Sequence, residues 1–507
     1  MEAERRVEFE FLNRRLHDLG KTIGRKDPNT GNKNFLCCAE NLLGSKDREV
    51  SSGEIGEDGG RAAMSGEIGE DGSRAAMSGG IGEDGGRGTK DSAGSGPAAL
   101  FGGLRTPAFV IDEAALRHNL EILHGVQQRT GAKILLAQKA FSNYDFYPLI
   151  AEYISGTEAS GLYESRLGSE KMPGLENHVF CAAYREDEFE ELLRYADHIV
   201  FNTPAQLAAF GPRAKAAGKS LGLRINPECS TQEGHAIYDP CAPGSRLGTT
   251  RAVWNQCMTP ELVALLDGLH FHTLCEQNAD ALAVTLRAVE AKFGDVLPAM
   301  KWLNMGGGHH ITREDYDISL LEDCVRYASE KWNLQVYLEP GEAIALNAGY
   351  LVTRVLDIVE NGREKIAVLD ASAACHMPDV IEMPYTPPLF GARAAEQEPG
   401  SGPTKFPVPG SPSLPDSRET KWYRYTLGGP TCLSGDIIGT YSFDHRLNPG
   451  ELLVFGDMAI YTTCKTNTFN GMPLPDILRL TESGRFRLLR RFGYDDFAGR
   501  LGAVQGG

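Results

Sequence analysis

No stretch of this chain is apolar over the roughly 20 residues that a bilayer-spanning helix needs, which excludes an integral helical membrane protein. CxxC pairs are also missing. The 11 cysteines are scattered, with Cys37 and Cys38 adjacent, so neither a disulfide framework nor a zinc site is suggested and a reducing compartment is expected. There is no basic block. With a formal net charge of −17, the chain has nothing to neutralise a run of phosphates, and nucleic acid is not an expected partner. The opening segment, Met1 to Val50, mixes acids with bases and resembles neither a signal nor a transit peptide, so a cytoplasmic location is expected. An acidic surface of this kind serves solubility, and it also favours a cationic metabolite.

The 507 residues are enough for about two domains once low-complexity stretches are set aside. Three tandem thirteen-residue units, Ser52–Met64, Ser65–Met77 and Ser78–Lys90, each carry one isoleucine among glycines and charges. That is too little apolar surface to offset the entropy of ordering a backbone, so residues 1–103 are expected to form a disordered extension. A Pro/Gly/Ser-rich stretch at 392–420 reads as a flexible insert.

Between these lie eight short apolar runs: Ile134–Gln138, Gly156–Ala159, Val179–Ala182, Ile199–Asn202, Leu221–Asn226, Leu269–Leu274, Trp302–Met305 and Val336–Glu339. Amphipathic segments such as Pro204–Ala217, Ala279–Phe293 and Tyr316–Trp332 separate several of them. Eight strands with helical crossovers predict an α/β fold, a (β/α)8 TIM-type barrel over residues 113–342. A doubly wound open sheet is the alternative, but its phosphate turn follows the first strand, whereas Gly306-Gly307-Gly308 follows the seventh. After Gly341 the texture becomes strand-rich and turn-punctuated, which predicts a second, all-β domain formed by 104–112 and 343–507.

Lys139 ends an apolar run, where burial of an amine would favour a nucleophile; a solvated surface charge is the ordinary alternative. The glycine triplet, at the active face of a parallel barrel, suits a phosphate held by backbone N–H groups, or else a tight turn. Glu339 ends the eighth strand and could keep a pyridine nitrogen protonated, or be an ordinary strand-end acid. His270 and His272 share a strand face; with Cys275 and Glu276 they could be taken for a metal site, but packing, or stacking of His272 on a cofactor ring, is preferred. His309 and His310 carry no assignment. Cys432, after a Gly-Pro turn, is either inert packing or a proton donor facing another surface. Taken together, these groups are what a pyridoxal 5'-phosphate site requires.

From about Arg105 onward the chain resembles the carboxynorspermidine/carboxyspermidine decarboxylases, within the alanine racemase-like, fold-type III group of pyridoxal phosphate enzymes. The segments that carry the resemblance are LLAQKAF (135–141), SGLYESRLG (160–168), GHAIYDPCAPGSRLG (234–248), LHFHTLCEQN (269–278), GGGHHIT (306–312), LEPGEA (338–343), AACHMPDVIEMPY (373–385), GGPTCLSGD (428–436) and YTTCKTNTFNGMPLPDI (461–477). The resemblance implies that Lys139 holds the cofactor covalently and that His272 stacks on its ring. It also implies that Gly306, Gly307, Gly308 and Tyr461 bind its phosphate and that Glu339 bonds the ring nitrogen. Cys432 would reprotonate the α-carbon from a neighbouring subunit, which implies a homodimer with shared sites. Ornithine decarboxylases have an arginine after EPG, where this chain has Glu342; diaminopimelate decarboxylases have an acid after the cysteine, where it has Leu433. Glu342, with Asp370, Asp379 or Glu382, would then receive the ammonium groups of a polyamine substrate, structural salt bridges being the alternative for each acid. Decarboxylation of carboxyspermidine or carboxynorspermidine is the expected activity; diaminopimelate or ornithine decarboxylation and a non-catalytic regulator are the rivals.

Overall fold

Helix starts in this chain are set by short polar side chains that accept the first free amides. Asp112 accepts from Ala114 and Ala115 ahead of the helix Glu113–Thr130, Thr203 caps Pro204–Ala216, Asn278 caps Ala279–Phe293 and Asp317 caps Ile318–Trp332. The first of these helices stops at Gly131, whose φ of 73° lies in the left-handed region that favours glycine. The computed structural model describes residues 100–232, 239–395 and 421–502. The three repeats and the rest of residues 1–99, like 396–420, lie outside the described residues. Among the described residues, no helix is long and apolar enough to cross a membrane.

Strand β1 (Ala108–Asp112) precedes the barrel. The barrel strands follow in sequence: β2 (Lys133–Ala137), β3 (Gly156–Ala159), β4 (Glu176–Phe180), β5 (His198–Phe201), β6 (Ser220–Arg224), β7 (Gly268–His270), β8 (Trp302–Asn304) and β9 (Gln335–Leu338). Each pairs in parallel with the next, and β9 returns to β2, so the sheet closes and leaves no edge. All eight predicted runs supply a barrel strand, with ends displaced by a few residues because hydrogen bonding stops before the apolar pattern does. Inside, Leu135, Val200, Trp302 and Tyr337 form a buried layer. Trp302 lies against two glycines that are neighbours in register, Gly222 of β6 and Gly268 of β7. A Cβ on Gly268 would come within 2.0 Å of the indole and one on Gly222 within 2.3 Å, so the glycines are required for close approach.

The remaining strands build a second, mixed sheet: β10 (Gly349–Asn361), β11 (Glu364–Leu369), β12 (Ala392–Ala394), β13 (Tyr423–Gly428), β14 (Ile437–Phe443), β15 (Leu452–Gly456), β16 (Asp476–Leu480) and β17 (Phe486–Arg490). Strand β1 lies between β10 and β16, so a segment from before the barrel completes the sheet. Two features correct the sequence expectation. Ala392–Ala394, assigned to the flexible insert, pair with β14 because their alternating side chains face Tyr441 and Phe443. Phe101, assigned to the disordered extension, is 2% exposed and packs against Tyr350 and Phe486. One-turn helices at Ala373–His376, Asp379–Glu382 and Thr462–Lys465 connect the strands of this second, β domain.

Gly268→Ala is expected to destabilise the protein by about 1–3 kcal/mol through overpacking against Trp302. Denaturant unfolding checks this. Combining the change with Trp302→Leu should recover part of the loss, and strict additivity of the two would show that the indole contact is not the cause.

Candidate active site

The C-terminal ends of the barrel strands surround one polar cavity, lined by Ala137, Lys139, Glu158, Ser160, Phe180, Ala182, Arg224, Arg246, Leu247, His270, His272 and Glu339. Glu339, the first residue past β9, is 4% exposed and makes use of both carboxylate oxygens. Oε1 accepts from Asn304 Nδ2 at 2.5 Å, and Oε2 lies 3.0 Å from His270 Nε2. Asn304 Oδ1 in turn accepts the Gly306 N–H at 2.9 Å. Burial pushes the Glu339 carboxyl up, but His270 and Asn304 outweigh that and hold it below its ordinary value. Burial pushes His270 down despite Glu339, so the pair is a neutral imidazole donating to a carboxylate. Its ring stacks on Phe180 at 5.6 Å.

His272 is fixed from behind: Nδ1 accepts the Gly307 N–H at 3.1 Å, which leaves Nε2 as the protonated nitrogen. Burial, then Lys139 and Arg224, press its pKa well below the usual value. The Arg224 guanidinium, lowered to about 10 by burial, sits 4.6 Å over the Phe180 ring and donates to the His272 carbonyl at 3.2 Å. Glu158 is 4% exposed and is pushed up to about 8, first by burial and then by Glu339, so it is protonated in the neutral range.

The glycine turn is forced by packing. Gly306 and Gly308 have φ of 70° and 81°, and Cβ atoms at 306, 307 and 308 would fall 2.5, 2.3 and 2.1 Å from the carbonyl oxygens of Phe271, Glu339 and Leu274. No side chain fits at any of the three. Because Gly307 touches both His272 and Glu339, the turn stands at the same end of the barrel as Lys139.

Lys139 itself differs from expectation. The strand ends at Ala137, and the turn that follows buries Gln138 and Ala140 while leaving Lys139 exposed on the wall of the cavity. Gln138 pins that turn by donating to the Glu164 carbonyl at 2.9 Å and accepting from Tyr147 Oη at 3.1 Å. The amine is therefore presented rather than buried. Tyr461, at φ 58°, donates its N–H to the Ala140 carbonyl at 2.7 Å and so abuts the same turn.

The acids chosen from the sequence have partners of their own. Glu342 Oε2 is 2.5 Å from His310 Nε2, and Asp379 pairs with Lys465, which also reaches Glu382 at 2.9 Å. Asp370 accepts from the hydroxyls of Thr106 and Thr353, both at 2.5 Å, and from the Arg354 N–H at 2.9 Å. It fastens the second sheet and does not join the cavity, which corrects its assignment to the substrate. Acids gather around Tyr461: burial pushes the phenol up, and Glu342, Asp379 and Glu276 add to it. Asp457, at φ 54°, belongs to the same group and is pushed up to about 6 by burial and Glu342.

Cys432 does not line the cavity. It is exposed, its thiol donates to Asn470 Oδ1 at 2.9 Å, and its loop hangs on the buried Asp436, which accepts from Thr431 and Ser372. No metal arrangement forms at His270 and His272, whose ring nitrogens face Glu339 and Gly307. Among the described residues, metal-ligating side chains come together at the opposite end of the barrel, in Glu176, His178 and His198. There the two imidazoles stack at 3.9 Å with planes 18° apart, so their in-plane lone pairs do not converge on one ion. Sequence reasoning missed Glu158, Arg224, Asn304 and Asp457. Only Glu158, in a Gly-x-Glu-Ala strand end, carried even a weak local signal.

A family model for the pyridoxal-dependent decarboxylase, C-terminal sheet domain, matches residues 70–459. The chain is 40% identical over 396 residues to a carboxynorspermidine/carboxyspermidine decarboxylase of Campylobacter jejuni, covering 78% of this chain and 98% of that protein. It is 38% identical over 400 residues to a carboxyaminopropylagmatine decarboxylase of Synechocystis, covering 79% and 96%. The crystal structure of carboxynorspermidine decarboxylase from Campylobacter jejuni, complexed with norspermidine, superimposes with a TM-score of 0.68 at 39% identity, over 78% of this chain and all of that one. With the family model matched over most of its length and relatives at this identity covered almost end to end, the chain belongs to the pyridoxal-dependent decarboxylases, in the branch of the carboxynorspermidine/carboxyspermidine enzymes.

Proposed function

We propose that the protein decarboxylates a carboxylated triamine, carboxyspermidine or carboxynorspermidine, with pyridoxal 5'-phosphate as cofactor. The observation that carries this reading is the single cavity shared by Lys139, His272 and Glu339, in a chain with close relatives of that activity. The residues fit the cofactor. Glu339 is a buried carboxylate beside a turn that tolerates no side chain, and Lys139 is an amine presented into the same space. When bound, the cofactor supplies the electron sink that takes up charge as carbon dioxide leaves.

In this reading Lys139 would be the amine that holds the cofactor covalently. Glu339, held ionised by His270 and Asn304, keeps a proton on the ring nitrogen. His272, oriented by the Gly307 N–H, would stack on the ring, and the glycine turn with Tyr461 would hold the phosphate. Cys432 delivers a proton to the α-carbon from a second copy of the chain. In support, exposed Leu433 and Ile437 flank its loop, and exposed Phe469 adjoins its partner Asn470, an apolar rim suited to burial in a dimer. The acidic cluster suits a cationic tail: Glu276, Glu342, Asp379, Glu382 and Asp457 stand against Lys465 and His310. A distal carboxylate, as in diaminopimelate, would meet like charge there.

Carbon dioxide release is expected to be fastest with the carboxylated triamines. The panel should include carboxyaminopropylagmatine, diaminopimelate and ornithine, and a clear preference for either of the last two would refute the assignment. Cys432→Ala should lower kcat far more than it changes KM, since proton delivery belongs to the reaction path. Equal changes in both would indicate a structural role. Mixing inactive Lys139→Ala with Cys432→Ala should restore about a quarter of wild-type activity if subunits exchange and sites are shared; no recovery under subunit exchange would place both groups on one chain.

A further inference from the structure

Two buried histidines follow the glycine turn with ring nitrogens that lack a hydrogen-bond partner, both nitrogens of His309 and Nδ1 of His310. Burial presses His309 down to about 4, so it is neutral, and His310 is the one held by a carboxylate. His310 is 3% exposed and lies two residues beyond Gly308, a reach of at most about 7 Å. Its Nε2 is 2.5 Å from Glu342 Oε2, while Nδ1 is buried with no hydrogen-bond partner. Glu342 opens the one-turn helix after β9 and faces Tyr461. The charged groups that act on His310 come from several elements: Glu342, Glu276 from the loop after β7, Asp457 from the turn after β15, and Arg313 on its own loop. Burial lowers the pKa of the ring, but Glu342 and then Glu276 outweigh burial and Arg313, leaving it raised.

An imidazolium has two N–H donors, and here one is committed to Glu342 and the other is buried without an acceptor. A buried polar group in that condition is costly until a ligand or a water meets it. Acids alone at this place would repel a phosphate. We propose that His310 is the cationic ligand of the cofactor phosphate, and that Glu342 is a positioning residue that orients the ring and keeps it charged. This rests on the reading that the phosphate lies at Gly306–Gly308, and it gives Glu342 a task other than holding the substrate. The arrangement parallels a histidine oriented by a carboxylate so that its far nitrogen faces the ligand.

The test compares the affinity of the full-length, cofactor-stripped chain for pyridoxal phosphate and for pyridoxal, which lacks the phosphate. A raised imidazole pKa means that the charge is present at low pH and lost as pH rises through it. The preference for pyridoxal phosphate should therefore fall about tenfold or more between about pH 6.5 and 9.5, a range in which the phosphate itself is already largely dianionic. His310→Gln should remove the fall and weaken pyridoxal phosphate about tenfold while leaving pyridoxal unchanged. Glu342→Gln should move the fall to lower pH. Equal weakening of both ligands in His310→Gln, or no weakening of either, overturns the proposal. Should that variant not fold, superimposable pH profiles for wild type and Glu342→Gln overturn it instead. A wild type that binds both ligands alike at every pH would remove the phosphate site itself, a failure of the underlying reading that the variants do not mimic.

Discussion

The cavity depends on the hydrogen bonds that converge on the Glu339 carboxylate. They run from the Gly306 N–H to Asn304, from Asn304 to Glu339, and from His270 to the other oxygen of Glu339, tying β7, β8, β9 and the glycine turn into one unit. A carboxylate this deeply buried survives as an anion only because both oxygens are met; removing one partner of such a buried group costs about 3–5 kcal/mol. The same unit sets the neighbouring ring. Gly307 can hold His272 by its N–H because it has no side chain: a Cβ there would fall 2.3 Å from the Glu339 carbonyl oxygen. Charge state and ring orientation thus have a common origin in one packed turn.

Two electrostatic regions result. Inside the barrel mouth, Lys139 and Arg224 sit among Glu158 and Glu339, and burial leaves Glu158 protonated while Glu339 stays ionised. Two carboxyls a few residues from equivalent strand ends therefore take opposite states, because only one of them is supplied with donors. Beyond the mouth, toward the second sheet, acids dominate around Tyr461, and backbone held at positive φ at Glu276, Asp457 and Tyr461 shows that the chain accepts local strain to gather them. Cys432 belongs to neither region within one chain. Its loop is anchored from beneath by Asp436 and turned outward.

Much of the barrel was legible in the sequence, since a closed parallel sheet buries both faces of each strand and leaves short, unbroken apolar runs. The glycine triplet, His272 and Glu339 were legible for a related reason: they lie at strand ends, where a parallel barrel concentrates its chemistry. Other residues were not. Lys139 was expected to be buried because it follows an apolar run, yet a turn that begins one residue earlier rotates it outward. Asp370 looked like a substrate acid and is instead a clasp for Thr106 and Thr353, one of them 264 residues away in sequence. Arg224 and Asn304 carry no motif at all; their importance comes from Phe180, His272 and Glu339, which only folding brings near. Phe101 and Ala392–Ala394 were misjudged because composition averages over neighbours, while burial is decided residue by residue.

The sequence by itself determined the number and order of the barrel strands, the place of the glycine turn and the types of group at the mouth, because these follow from local periodicity and from backbone geometry that few residues tolerate. Only the tertiary structure decided which of those groups are charged, which way they face and what they are paired with. A pairing such as His310 with Glu342, or His270 with Glu339, spans 32 or 69 residues of chain. The protonation of a buried group is set by the donors and charges that surround it in space, and no spacing along the chain encodes that.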